Sequence, residues 1–375
     1  MRTILLIIRK EFSQLRRDPR MLPIIFLSPI LQLIILGYAA NLDVRDIPTV
    51  VCDLDRTASS RDFLSNFFNT GLFTLKANVD TPGDVDAYIE KVSGSLAFII
   101  PRGFGEKVKS GKTAQVQMIV DGSESPSATV GLNSAVMIVA KYSRNILIEK
   151  FERFKFLGFR PAAINSEVRV WYNPELLSSK FMVPGILGML LMVMTMMLTS
   201  MGIVKEKEAG TMEQLIVTPI KPYQLVLGKL LPFVFIGLMD VMLTIVVATF
   251  WFRIPVKGSV ALLFGLSLVF MISTLGLGLF ISTISRNQQQ AMMTAVFFMM
   301  PMVILSGFVF PIENMPKLVQ FVTYIVPLRY FFVIIRGLFL KGVGIGVLWD
   351  EAVVLLVFGF VILTLSVRRF RKMLA

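Results

Sequence analysis

Residues 205–229 read KEKEAGTMEQLIVTPIKPYQLVLGK, and they separate two long apolar runs at residues 181–204 and 230–252. Each run supplies the ~20 apolar residues that a helix needs to cross the hydrocarbon core of a bilayer. The charged stretch therefore connects two predicted membrane spans at one membrane face. Residues 205–218 are mostly good helix formers and Pro219 stops a helix, so we predict a short charged helix there, with a solvated loop as the alternative.

The composition of the whole chain is that of an integral membrane protein. Of its 375 residues, 55% are apolar and 17% are charged, and the mean hydropathy is +0.71. The formal net charge is +13, but the basic residues lie at the ends of apolar runs, which does not indicate nucleic-acid binding. With one cysteine, Cys52, and no histidine, the chain cannot form an internal disulfide or use histidine-based metal or acid–base chemistry.

The N-terminal half contains a membrane anchor followed by a soluble segment. Residues 1–20 carry six basic side chains and apolar residues at helical spacing, which predicts an amphipathic helix in the membrane interface. Residues 21–40 are the first predicted span. They are expected to remain as a membrane anchor rather than to be removed as a signal peptide, because no small-residue cleavage site clearly follows the apolar run. Residues 41–180 alternate strand-like and helix-like runs and are long enough to bury a core, so we predict an α/β domain inserted between the first two spans.

The C-terminal half is predicted to add three further spans, making six in total. These spans are residues 260–284, 291–310 and 348–367. Residues 311–346 are also apolar, but Arg329 and Arg336 lie near the middle of the run, where a full crossing would cost several kcal/mol. We therefore predict a re-entrant or interfacial hairpin before the last span, and a basic tail at residues 368–375.

The distribution of basic residues predicts the orientation of the chain. With six spans, the segments on the side of the N-terminus carry fifteen Lys and Arg residues, and the short segments on the other side carry six. Because short cytoplasmic segments are enriched in basic residues, both termini and residues 205–229 are predicted to be cytoplasmic. Residues 41–180 are then predicted to lie outside the cytoplasm.

Two stretches look like motifs of phosphate chemistry but depart from them. Residues 105–113, GEKVKSGKT, have one residue too many between their glycines for a phosphate-binding loop, so a lysine-rich surface turn is preferred. Residues 50–57, VVCDLDRT, resemble the first motif of haloacid-dehalogenase-like phosphatases, with Asp53 as nucleophile and Asp55 as acid–base. No later acidic pair completes a metal site, and the alternative is a strand end whose aspartates turn the chain and cap a helix beginning near Ser59. We predict no catalytic, cofactor or metal site in this chain.

Candidate residues for a transport path lie within the predicted spans. Asp240 is the acidic residue well inside a span, where it either contacts a cation or proton or makes a structural hydrogen bond to a neighbouring helix. Methionines crowd the second and fifth spans and suit variable apolar ligands, although plain helix packing is the alternative role. The methionines chosen as candidates are Met189, Met192, Met196, Met299 and Met300.

Two stretches resemble a known family of membrane proteins. Residues 206–232, EKEAGTMEQLIVTPIKPYQLVLGKLLP, resemble the cytoplasmic signature of ABC-2 type permeases, the membrane subunits of type V ABC exporters. LSGFVFPIENMP at residues 305–316 and IVPLRYFFVIIRG at residues 325–337 look like the family's fifth-span exit and re-entrant hairpin. The similarity runs across essentially the whole chain and is greatest to the multidrug-export subgroup with a large external domain, including the daunorubicin-resistance-like permeases.

The resemblance implies how the chain would work. Residues 205–218 would be a coupling helix that docks on a separate ATP-binding subunit, and residues 1–20 would be the connecting helix beside it. The residues implied at or near that contact are Glu206, Glu208, Gly210, Thr211, Glu213 and Pro219. Two permeases, identical or paralogous, would assemble with an ATPase dimer that holds ATP and Mg²⁺, and the second and fifth spans would line the path. This assembly is also compatible with a periplasmic adaptor as a further partner.

The expected function is therefore that of an exporter subunit in the bacterial inner membrane. It would move hydrophobic or amphipathic, drug-like or lipid-like compounds outward, with no catalysis of its own. Two alternatives stay open: a secondary transporter driven by an ion gradient through Asp240, and a membrane-anchored extracytoplasmic enzyme or receptor built on residues 41–180. The first would be expected to show repeated halves, and the second would not need a coupling helix.

Overall fold

A computed structural model describes residues 2–17, 21–39, 46–91, 96–123, 125–153, 171–174, 177–211 and 222–374. The chain forms two compact units. The membrane unit contains Met1–Asn41 and Arg169–Ala375, and the inserted unit contains Leu42–Val168. The predicted fold class, a helical polytopic membrane protein with an inserted α/β domain, is confirmed by these two units and their composition.

The inserted unit is a four-stranded sheet covered by helices. Its strands are β1 (Ile47–Asp53), β2 (Phe73–Asn78), β3 (Leu96–Ile100) and β4 (Gln117–Val120). After α1 (Arg2–Arg17) and α2 (Met21–Ala39), its helices are α3 (Ala58–Phe68), α4 (Pro82–Lys91), α5 (Phe104–Ser110) and α6 (Ser125–Arg153). The strand order is β2-β1-β3-β4, with β1 parallel to β2 and β3, and β4 antiparallel to β3. Strand β3 is buried along its whole length, as its run of apolar residues requires.

Aromatic rings fill the core on one face of this sheet. Phe67 and Phe98 have ring centroids 4.4 Å apart, and Phe63 packs edge-on against Phe67 at 5.1 Å. These side chains come from α3 and β3, so they hold the helix on the sheet through offset and edge contacts. Cys52 lies in the core on strand β1, where burial raises the pKa of its thiol.

The aspartates of VVCDLDRT are structural hydrogen-bond acceptors. One oxygen of Asp53 accepts from the backbone N–H groups of Asp55 and Arg56, and its other oxygen accepts from the Ser60 hydroxyl at 2.6 Å. Thr57 caps α3 in a reciprocal capping box with Ser60. This geometry matches the interpretation of a strand end that turns the chain and starts a helix. The other motif-like stretch also forms a helix end, because α5 occupies most of it and Gly111, at φ +81°, terminates that helix.

Asp55 ties the end of β1 to the start of α5. Its carboxylate accepts from the backbone N–H groups of Gly103 at 2.8 Å and Gly105 at 2.9 Å, and from the Thr57 hydroxyl at 2.6 Å. Burial acts to raise the pKa of Asp55, but these hydrogen bonds outweigh it and hold the pKa below its ordinary value. The ionised form therefore stabilises the fold.

Replacing Asp55 by asparagine is expected to destabilise the inserted unit by about 1–3 kcal/mol at pH 7, because at least one backbone N–H loses its charged acceptor. Because folding lowers the pKa of Asp55, its carboxylate contributes stability at pH values above its unfolded pKa of ~4, and this contribution is lost as the pH falls through the folded pKa. The difference in stability between the native chain and the Asp55→Asn variant should therefore narrow in acid. Hydrogen exchange of the β1 and β3 amides in the full-length protein measures the change. Asp86→Asn, at an exposed position of α4, is the matched control, and equal protection in both variants would contradict this role.

The membrane unit is a bundle of long helices. After α6 the chain forms α7 (Ser178–Glu208), α8 (Pro222–Phe250), α9 (Val260–Ile284), α10 (Gln288–Leu305), α11 (Lys317–Thr323), α12 (Pro327–Arg336) and α13 (Ile345–Leu374). Among the described residues, α7, α8, α9, α10 and α13 are long and apolar enough to cross a membrane. Helix α2 stands where the first span is predicted, and its apolar part, Ile25–Ala39, is shorter than these five helices.

Helix α7 lies in the middle of the bundle and packs closely on α9. A Cβ atom added at Gly278 of α9 would lie 2.7 Å from the backbone oxygen of Met196 and 2.8 Å from Thr199 of α7. Thr195 and Thr274 join the same two helices by a hydroxyl hydrogen bond of 2.7 Å. Small residues and hydroxyl pairs of this kind hold helices together where the hydrophobic effect between them is absent.

The segment with two arginines folds as a bent pair of helices. The first helix is α11, and α12 continues through a π-turn at Gly337–Lys341, with an angle of 80° between the two parts. The Arg329 guanidinium donates to the Thr323 hydroxyl and lies 4.0 Å from the centre of the Tyr324 ring. Arg336 lies 3.7 Å from the centre of the Phe181 ring. Aromatic faces therefore offset part of the cost of placing these charges among apolar side chains.

The helices extend beyond the apolar runs that predicted them. Helix α7 continues four residues past the predicted end of the second span, through Glu208, and α8 begins at Pro222 rather than at residue 230. Helix α13 reaches Leu374 instead of ending at residue 367. Charged residues end an apolar run without ending a helix, because their side chains can reach water or find partners.

Candidate coupling site

Three successive residues at the end of α7 bind four other helices of the bundle. Glu206 binds Lys10 of α1 and Lys229 of α8. Lys207 binds the end of α9, and Glu208 binds the start of α10. We call Glu206, Lys207 and Glu208 the α7 hub. Every helix that it contacts meets α7 at the same end of the bundle, so motion of this end would be shared among them.

Glu206 is the buried centre of the hub. It is 6% exposed and Lys229 is 3% exposed, and one carboxylate oxygen accepts from Lys229 while the other accepts from Lys10. Glu11 lies beside this group, with its carboxylate 3.8 Å from the Lys10 ammonium. Burial raises the pKa of Glu11, an effect that the nearby lysines oppose but do not cancel. A buried charge is tolerated only when it is paired, and here each oxygen of Glu206 has its own cation.

Helix α1 is also held on α8 by apolar contacts. A Cβ atom added at Gly228 would lie 2.8 Å from Ile7, so the two helices approach closely at that point. Phe12 and Phe235 pack edge-on with ring centroids 5.6 Å apart. The amphipathic N-terminal helix therefore joins the bundle through one ion-pair network and one apolar seam.

The remaining hub residues hold α9 and α10. The Lys207 ammonium donates to the backbone oxygen of Ser285 at 2.9 Å, at the residue that caps the end of α9. A cation at a helix C-terminus is favoured by the partial negative charge there. The Gln288 amide, at the first residue of α10, donates to Glu208 at 2.8 Å.

The chain turns sharply after the hub. Ala209 caps α7, and Gly210 has φ +68°, a left-handed conformation that glycine adopts without strain. The Thr211 hydroxyl donates back to the backbone oxygen of Glu206 at 3.2 Å. Glu208 and Gly210 are exposed and Thr211 is half-buried. The other two predicted contact residues, Glu213 and Pro219, lie outside the described residues.

The structure corrects the sequence-based interpretation of Glu206. A separate charged helix starting at residue 205 would present Glu206 to a partner, but α7 continues through this position and turns Glu206 inward. The opposing residues Lys10 and Lys229 were not predicted as site residues. One signal for this burial was present in the sequence. Lys10 follows Ile7 by three positions and Glu206 follows Ile203 by three, so each charged residue lies on the same helix face as a buried isoleucine.

The predicted path residues divide into packed and exposed groups. Met192 and Met196 are fully buried in α7, and Met189 is half-buried. Met299 of α10 packs beside Met196 in one apolar cluster, which places the second and fifth predicted spans in contact. Met300 is 60% exposed on the outer face of α10.

Asp240 is buried on the inner face of α8. It continues the stripe that includes Gly237, which approaches α7 and α9, and Thr244, which is also buried. Within the described part of the chain, its Oδ1 atom has no hydrogen-bond partner. Among the described residues, no group of three or more His, Cys, Asp or Glu could hold a metal ion.

Comparison with known proteins identifies the family. The family described as "ABC-2 family transporter protein" matches residues 19–368. The chain is 32% identical over 353 residues to "Probable multidrug ABC transporter permease YbhR" of Escherichia coli (strain K12), covering 94% of this chain and 93% of that protein.

Two further relatives agree with this match. "Probable multidrug ABC transporter permease YbhS" of the same strain is 36% identical over 343 residues, covering 89% of this chain and 87% of that protein. "ABC transporter G family member 20" of Dictyostelium discoideum is 22% identical over 346 residues, which are 90% of this chain but 46% of that protein. The chain therefore belongs to the ABC-2 transporter family and is the transmembrane permease subunit of an ABC exporter.

Proposed function

We propose that the α7 hub is the element through which a separate ATP-binding subunit drives this permease. The ATPase dimer, which would hold ATP and Mg²⁺, contacts the chain after Glu208, and a second permease, identical or paralogous, completes the transporter. Both termini and the hub lie in the cytoplasm, and the inserted unit lies outside it. The distribution of basic residues supports this orientation, since Lys10, Lys205, Lys207 and Lys229 all belong to segments at the hub end of the bundle.

The convergence of contacts on three consecutive residues is the observation that carries this proposal. A partner that moves the turn at Ala209–Thr211 displaces the end of α7, and the hub passes that displacement to α1, α8, α9 and α10 together. ATP binding can shift the permease only if the partner contacts its two states differently. A packed hub with discrete ion pairs provides two such arrangements more readily than a flexible loop does.

The substrates that we propose are hydrophobic or amphipathic compounds of drug-like or lipid-like character. The names of two relatives, YbhR and YbhS, contain the word "multidrug". The outer face of α10 is apolar, with Phe297, Met300 and Ile304 exposed, so it suits a partner permease, lipid or an apolar substrate. These features support an apolar or amphipathic class of compound.

Co-purification with a candidate ATPase tests the coupling proposal. We expect the native chain to bind the ATPase and to raise ATP hydrolysis in lipid, whereas Glu208→Lys combined with Thr211→Lys should lose more than half of that stimulation because the contact surface changes charge. Asp350→Lys, at an exposed position near the start of α13, is the matched control and should behave like the native chain. Equal stimulation by all three proteins, with equal thermal stability, would place the ATPase contact elsewhere.

A second candidate function is transport driven by an ion gradient. The observation in its favour is the buried Asp240, whose Oδ1 atom lacks a hydrogen-bond partner within the described residues. Such a transporter would move its substrate without ATP and would fail when Asp240 is replaced by asparagine. The family match and the contacts of the α7 hub both favour ATP-driven export, so we rank this function second.

A further inference from the structure

The inserted unit contains an open apolar groove between α6 and the segment that joins α5 to β4. The groove has a volume of about 720 Å³. Its floor is formed by Phe63, Phe98 and Phe104, which are otherwise buried in the core of the unit. We call this cavity the phenylalanine groove. Its volume lies within the ~300–1,000 Å³ that is usual for sites that bind small organic molecules.

One face of α6 lines the groove with aliphatic side chains that remain open to solvent. Val136 is 57% exposed, Leu147 is 55% exposed, and Val139 lies between them on the same wall. Single exposed aliphatic residues need no explanation, but these three share one concave surface. The helix gains little from valine or leucine at positions that face water, so these side chains suit the apolar body of a bound molecule.

Lys112 is the charged residue among those that line the groove, beside the neutral polar side chains of Thr113, Gln115 and Ser143. Lys112 lines its edge, and Lys107 and Lys109 lie exposed on the adjoining α5. Tyr142 also lines the groove, but its hydroxyl group is engaged with the Asp62 carboxylate at 3.2 Å. A cation beside an apolar surface favours a molecule with an anionic head and an apolar body.

We propose that the phenylalanine groove binds one amphipathic anion, with its apolar body on Phe63, Phe98 and Phe104 and its head group near Lys112. This binding does not depend on ATP or on the α7 hub, so it can be tested apart from the exporter function. A second permease packed on α6 and a neutral apolar molecule are the competing occupants, and the experiment separates them.

Photolabelling of the full-length protein in lipid nanodiscs tests this site, with a diazirine derivative of dodecanoate as the probe. Peptide mass spectrometry locates the adducts, so labelling of membrane helices by probe dissolved in the lipid does not obscure the result. We expect saturable adducts within residues 104–118 and 136–147, in the absence of ATP. Adducts confined to the membrane unit would overturn the proposal.

Variants of the groove sharpen the test. Ala140→Trp places a large side chain in the groove at an exposed position and should lower labelling about tenfold, whereas Asn133→Trp, exposed elsewhere on α6, should not. Lys112→Gln should raise the half-saturating probe concentration several-fold, and Lys76→Gln, on β2, should leave it unchanged. Each variant should melt at the native temperature.

Three results of this experiment would contradict the proposal. Equal labelling of the two tryptophan variants would show that the groove is not the site. An unchanged half-saturating probe concentration in Lys112→Gln would mean that a neutral apolar molecule is the occupant. The same conclusion would follow if unlabelled dodecanol and unlabelled dodecanoate competed equally well with the probe for the groove. Loss of permease dimers in Ala140→Trp, with labelling intact, would make the groove a subunit interface.

Discussion

Replacing Glu206 by glutamine is expected to destabilise the membrane unit by ~3 kcal/mol and to abolish the stimulation of ATP hydrolysis by the permease. Lys229 is 3% exposed, so removing the carboxylate leaves a buried ammonium group without its main counter-charge. The expected value lies at the low end of the range for breaking a buried ion pair, because Glu11 remains nearby and can compensate in part. Thermal unfolding in lipid and ATP hydrolysis by the assembled complex measure the two effects.

A double variant separates folding from coupling at this site. Glu206→Gln with Lys229→Met removes both buried charges, so stability should return close to the native value. Stimulation of ATP hydrolysis should stay low, since α1 and α8 are no longer joined to α7 by the ion pairs. Glu313→Gln, at an exposed position outside the hub, is the control for a general effect of lost charge. Full recovery of stimulation in the double variant would show that the network serves folding alone.

Replacing Gly278 by leucine is expected to prevent the native packing of α7 on α9, with a cost of at least ~1–3 kcal/mol. The added side chain would enter space already occupied by the Met196 backbone oxygen and by Thr199, and backbone cannot move aside as a flexible side chain can. The hydroxyl pair of Thr195 and Thr274 would be pulled apart by the same displacement. The yield of folded protein in mild detergent and its melting temperature report the effect.

Gly265 supplies a matched control on the same helix. A Cβ atom added there meets nothing within 4 Å, so Gly265→Leu adds the same side chain to open space. We expect this variant to fold with near-native stability, or slightly better because leucine favours a helix over glycine. If both leucine variants behave alike, the close approach at Gly278 does not determine the packing of the bundle.

The apolar runs predicted most of the architecture because membrane spans are specified by local composition. The fourth predicted span, residues 260–284, coincides with α9, whose start is fixed by the Ser259 cap and whose end is followed by Ser285. The inserted α/β unit was also predictable, since strand-like runs such as the one containing β3 alternate with helix-like runs over a soluble segment. Each of these signals is contained within ~20 neighbouring residues.

The hub could not be predicted in the same way because its contacts join distant parts of the chain. Glu206 pairs with Lys10, which is 196 positions away, and with Lys229, which is 23 positions away. The charged residues from position 205 onward indicated an exposed surface. Glu206 is nevertheless buried, because α1 packs on α8 beside this end of α7, and the local sequence does not specify that packing. The phenylalanine groove was missed for a similar reason, since its floor and walls come from α3, β3, α5 and α6.

Cross-linking from Thr211 to the ATP-binding subunit tests the central claim most directly. Thr211→Cys in a Cys52→Ala background places the sole cysteine of the chain just beyond the hub, where benzophenone maleimide can be attached. Phe250→Cys, at the opposite end of α8, is the control position. We predict that Thr211→Cys, but not Phe250→Cys, forms adducts with the ATPase and that trapping the ATPase with ADP and vanadate changes their yield. Absence of ATPase adducts at Thr211→Cys in an assembled, hydrolysing complex would contradict coupling through the α7 hub.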